Sequence, residues 1–180
     1  MEQQEEISEH SSQKAGYLST FFSLYLAQAV PMSFFTTALQ VILREQAVPL
    51  SLIGLLQIVK LPWILKVFWS PAIDRHCQTV RDYKRTIIGA EIVYALLILV
   101  TSLFDLHTIL PLSFHLLIVL ILLALAASAT QDIATDALAI RTSAPHQRGL
   151  LNSMQSMGSF GGSLLGSGVL LMVLHSYGWN

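Results

Sequence analysis

No Asp, Glu, Lys or Arg occurs in three long stretches of the chain, 15–43, 106–131 and 149–180. That spacing of charge leaves few folds open. About 20 apolar residues in α-helical form cross a ~30 Å hydrocarbon core. In lipid, every backbone N–H and C=O must also find its partner within the protein, which selects helices or closed barrels. Composition agrees: 53% of the 180 residues are hydrophobic and 12% are charged, where a soluble domain carries about 25% charged residues. The expectation is an all-α, polytopic helical membrane protein. The first apolar run follows an acidic flank, "MEQQEEISEH", and is longer than a signal-peptide core, so it reads as a span.

Composition also removes several kinds of function. A net charge of −1 without a basic stripe gives no footprint for nucleic acid. The single cysteine, Cys77, excludes an internal disulfide, and the histidines lack ligand spacing, so no metal or cofactor is expected.

Five spans are expected, at 17–43, 50–73, 86–104, 112–139 and 150–174, behind an acidic tail at 1–14. Pro31 interrupts the first, and Pro62 and Pro71 the second. One set of ends carries Lys14, Arg75, Arg81, Lys84, Arg85, Arg141 and Arg148; the other carries Arg44 beside Glu45, and Asp105 with His107. The positive-inside rule then places the N-terminus and the loops near 74–85 and 141–148 in the cytoplasm, with Trp69 and Trp179 as interfacial anchors.

Charges within spans are costly and therefore informative. Lys60 lies near the expected midplane of the second span, where it either pairs with a buried carboxylate or carbonyl, or meets substrate or ion. Lys66 is closer to the cytoplasmic end and can extend towards it. Glu91 enters the third span. Asp132 and Asp136, in "ATQDIATDALAIR", share one face of the fourth helix, four residues apart, where like charges repel. They are expected to latch the cytoplasmic ends of spans two to four through Arg75 and Arg141, or, at Asp132, to carry a proton. On span one, Tyr25, Gln28, Met32 and Thr36 form one helical face, suited to a cavity wall or to interhelical hydrogen bonds. Gln57, a turn before Lys60, shares in that reading.

In "GSFGGSLLGSG", Gly158, Gly162 and Gly166 recur every four residues, a spacing that lets two helix backbones approach closely or slide. The "GSG" at 166–168 invites comparison with an intramembrane serine protease, but no second motif supplies a base, and no enzyme activity is expected.

"LYLAQAVPMSFF", "LPWILKVFWSPAIDRH", "ATQDIATDALAIR" and "RGLLNSMQSMGSF" occur in an order that resembles the peptide/acetyl-coenzyme A transporter branch of the major facilitator superfamily. Within it the likeness is to AmpG-type muropeptide permeases and related siderophore importers. The superfamily loop motif G-x-x-x-D-R-x-G-R-R is met at Asp74 and Arg75, while Ser70 replaces its glycine and the trailing Gly-Arg-Arg is absent. The proline motif of drug antiporters is also missing.

The resemblance implies twelve or more helices in two six-helix halves working by alternating access. Five spans would then form an incomplete N-terminal half, inactive without the C-terminal half. It further implies proton-driven import of a small solute, a muropeptide first and a siderophore or other small anion second, across a bacterial inner membrane. Lys60, Gln28, Tyr25 and Gln57 would line the cavity. Asp74, Arg75, Asp132, Asp136 and Arg141 would form the cytoplasmic gate. A five-helix scaffold without transport is the rival expectation.

Overall fold

The computed structural model describes residues 2–45, 47–103 and 111–177, and side chains from 15 onward except those of 102 and 111–114. Among the described residues all regular structure is helical. Helix α1 runs as Glu2–Ser33, a π-helical stretch Phe34–Ala38, and Leu39–Glu45. Helix α2 joins Leu50–Leu55, a 3₁₀ stretch Leu56–Lys60, and Leu61–His76. Helix α3 is Val80–Ser102 and α4 is Pro111–Thr142. After a 3₁₀ turn, Pro145–Gln147, helix α5 runs as Arg148–Ser163, a π-helical stretch Leu164–Val169, and Leu170–Tyr177.

Among the described residues, four stretches are long and apolar enough to cross a membrane: Ala15–Glu45, Leu50–His76, His115–Thr142 and Pro145–Tyr177. The protein is membrane-embedded through several helices. The expected third span, α3, is not among these four. Its first turns carry Arg81, Asp82, Lys84 and Arg85, and Glu91 follows, which dilutes its apolar length. The expected anchor Trp179 and the Asp105/His107 end lie outside the described residues. The acidic segment from Glu2 continues helically into α1.

Local chemistry explains the irregular stretches. Pro62 has no N–H to give the carbonyl of Ile58, which accepts instead from the N–H of Leu61, three residues on. That shortened bond makes the 3₁₀ turn. In the π stretches, the N–H of Leu39 bonds the carbonyl of Phe34 and that of Leu170 the carbonyl of Leu165. Both π-helical stretches lie where α1 and α5 meet. There Ser33 Oγ and Ser167 Oγ both donate to the carbonyl of Ser163, at 3.1 and 2.7 Å. Helix α3 starts at Val80 because Thr79 and Asp82 close a reciprocal capping box.

Helix α4 is the centre of the bundle, with half of its apolar window buried. It packs on α3, α2 and α1, while α1 packs chiefly on α5. The glycine stripe makes the α1–α5 contact. A Cβ at Gly158 would stand 2.7 Å from the Phe22 carbonyl oxygen. One at Gly162 would stand 2.6 Å from Ala29 Cβ, and one at Gly166 would collide with the Val30 carbonyl. Without side chains between them the two backbones touch, as small-residue stripes permit.

Candidate functional site

Two apolar clusters fill the bundle at different levels. One joins Phe35, Leu39, Leu56 and Val59 to α4 residues 117–125. The other joins Phe21, Tyr83, Ile87 and Leu151 to α4 residues 134–139. Asp132 lies between these levels. It sits about 5 Å from the midpoint of His115–Thr142 at 1.5 Å per residue, displaced towards the Thr142 end. Gln28 and Lys66 are about 3 and 5 Å from the midpoints of their own helices by the same rise. The polar group is therefore deeper than the helix-end position expected for Asp132.

Asp132 is 2% exposed, and both of its oxygens are engaged. Lys66 Nζ stands 2.5 Å from Oδ2, and Gln28 Nε2 donates to Oδ1 at 2.9 Å. Lys66 also lies 4.8 Å above the ring of Trp63, whose face favours a cation. One turn on, Asp136 Oδ1 accepts from Tyr25 Oη at 2.5 Å and from Gln155 Nε2 at 3.5 Å. Side chains from α1, α2, α4 and α5 thus converge. Two carboxylates face one ammonium, and Lys66–Asp132 is the single ion pair among the described residues. Gln28 Oε1 is buried without a hydrogen-bond partner among the described residues.

Register explains the convergence. Helices α1 and α4 are antiparallel: Tyr17 bonds Thr142, Tyr25 bonds Asp136 and Gln28 bonds Asp132. Going up α1 from Tyr17 through Tyr25 to Gln28, by eight and then three residues, the partners run back down α4 from Thr142 through Asp136 to Asp132, by six and then four. Polar residues at helical spacing on both therefore meet rung by rung.

The residues named from sequence are distributed unevenly. Tyr25, Gln28, Asp132 and Asp136 come together. Lys60 and Gln57 do not join them: both are exposed, and Gln57 Nε2 reaches Gln40 Oε1 at 3.3 Å. The cation beside Asp132 is Lys66, where Arg75 and Arg141 were expected. Arg75 is exposed and makes no ion pair among the described residues. Arg141 donates to the Gln78 carbonyl at 3.2 Å and lies 5.0 Å over the Tyr83 ring. Asp74 accepts from Tyr83 Oη at 3.3 Å. Asp74, Arg75 and Arg141 thus form a separate group at the helix ends, joined through Tyr83 and Gln78. Ser167, raised by the protease comparison, spends its hydroxyl on the Ser163 carbonyl.

Sequence reasoning missed Gln155 and undervalued Lys66. Gln155 precedes Gly158 by three residues, so it shares the face that the glycine stripe presses on α1.

No family model matches the sequence. No solved structure matches it. An uncharacterized protein of Haemophilus influenzae is 27% identical over 151 residues, covering 83% of this chain and 35% of that protein. The chain therefore spans about a third of the length of that relative.

Proposed function

We propose that the chain is the N-terminal part of a secondary transporter, with the Lys66–Asp132 pair and its neighbours as the site where charge is handled. In this reading α3 is a fifth span, the N-terminus is cytoplasmic, and the remainder of a longer permease faces this bundle. The observation that carries the reading is an ion pair close to mid-depth, its carboxylate buried and its lysine half-buried, with a second carboxylate one turn on and neighbours from four helices. Charges at that depth are costly and typically mark ion or substrate paths. Two carboxylates against one ammonium leave room for a proton or a cationic group, and Gln28 Oε1 offers an open acceptor beside them.

The resemblance to muropeptide permeases supplies the substrate class and the proton coupling, which the geometry accommodates. The full-length protein, reconstituted in liposomes with an imposed pH gradient, tests it. Accumulation of a labelled muropeptide, abolished by collapsing the gradient, is the expected result. Accumulation of a ferric siderophore instead would keep the transporter and change the solute. Uptake of neither would favour the non-transporting scaffold.

A further inference from the structure

Helix α3 has two unlike faces. Tyr83, Ile87 and Tyr94 are buried, and Ile87 packs in one cluster with Ala134 and Leu138 of α4. The opposite side exposes Ile88, Ile92, Leu96 and Leu103. At 100° per residue, Arg81, Arg85, Ile88 and Ile92 fall within about 60° of one another. Two arginines four residues apart therefore head the exposed apolar stripe, with Lys84 beside them; all three cations are exposed.

None of these cations makes an ion pair among the described residues. The acid beside them is already committed: Asp82 Oδ2 accepts from the Thr79 N–H at 2.9 Å and from Thr79 Oγ1 at 2.8 Å. Arg141, the next cation, is turned to Tyr83 and the Gln78 carbonyl.

We propose that Arg81, Lys84 and Arg85, with the stripe below them, bind an anionic phospholipid. The guanidinium forks match a phosphate bidentately, and the ammonium adds charge without directional demand. The acyl chain runs along Ile88, Ile92 and Leu96. Charge complementarity at one end and apolar surface at the other select an anionic lipid over a soluble anion. The bound lipid also braces the α2–α3 connection, because the same helical turns send Tyr83 to Asp74 and Thr86 to Cys77. This inference takes from the proposed function only that α3 lies in the membrane, and it does not require transport.

The test uses the full-length protein in neutral detergent, with phosphatidylglycerol and phosphatidylcholine as probes and native mass spectrometry as the readout. A cation near an anionic surface contributes about fivefold in binding. The wild-type protein should prefer phosphatidylglycerol by about tenfold or more. The combined variant Arg81→Gln, Lys84→Gln, Arg85→Gln should lose that preference while still retaining phosphatidylcholine. The charge-keeping variant Arg81→Lys, Arg85→Lys should keep most of it. Should the neutral variant fail to fold, raising salt from about 50 to about 500 mM must weaken the wild-type preference, since exposed charges are screened. Equal preference in wild-type and neutral proteins, or a preference indifferent to salt, would overturn the proposal. So would displacement of the lipid by inorganic phosphate at matched concentration.

Discussion

Helix α1 meets α5 and α4 by opposite means. Against α5 it offers bare backbone to three glycines, so the contact admits one geometry. Against α4 it extends Tyr17, Tyr25 and Gln28 to Thr142, Asp136 and Asp132. A contact made at the tips of long side chains can exchange partners for a proton, a solute or water with little backbone cost. A glycine contact cannot. The difference separates a close-packed pair, α1 with α5, from a side-chain seam between α1 and α4, where the proposed transporter would handle charge.

The largest expected effect breaks the close-packed side. Gly166→Leu should destabilise the protein by about 3 kcal/mol or more, because the new side chain meets backbone that cannot yield. Loss of the monodisperse peak in size-exclusion chromatography is the readout. Gly89, with nothing within 4 Å of an added Cβ, is the control. Gly89→Ala should instead stabilise the helix, by about 0.5–1 kcal/mol.

On the polar side, Asp132→Ala strands Lys66 without its carboxylate. Breaking a buried pair costs about 3–5 kcal/mol. Because the Lys66 side chain is 30% exposed, about 2–4 kcal/mol is the expected loss, measured by thermal unfolding. Tyr25→Phe removes one hydrogen bond to Asp136 and should cost about 1–2 kcal/mol. Gln155→Ala, at the 3.5 Å limit of hydrogen bonding, should cost less than Tyr25→Phe.

The smallest effect lies outside the membrane. Hydrogen bonds from the Thr79 side chain and backbone hold the Asp82 carboxyl below its ordinary range. A lowered folded-state value means its contribution is fully present above the unfolded carboxylate range near pH 4 and is lost as pH falls through the folded value. Thermal stability of wild type and Asp82→Asn should therefore converge on acidification below about pH 4 and differ above it.

How far the sequence revealed this arrangement depended on the kind of information needed. Apolar length and proline position act locally, so the α1, α2, α4 and α5 rods were visible in it. Asp132, Asp136, Gln28 and Tyr25 stood out as polar groups in apolar surroundings. Which cation would meet Asp132 was not visible. Lys60 and Lys66 are both on α2, six residues apart, and their depths can be counted along the chain. Their directions cannot, because the 3₁₀ stretch Leu56–Lys60 and Pro62 alter the helical phase between them. Azimuth is set by packing against α4, which only the tertiary structure supplies. Gln155 was hidden for the same reason, since its importance comes from a neighbour on another helix.

The most direct measurement asks whether the Lys66–Asp132 pair serves function or only structure. In the full-length protein, Lys66→Met with Asp132→Leu removes both charges at similar volume. Replacing a buried ion pair with apolar residues is commonly neutral for stability or better. Gradient-driven uptake in liposomes is then measured beside thermal unfolding. The account predicts a double variant that unfolds at the wild-type temperature or above and transports nothing. Wild-type uptake by that same variant would contradict it.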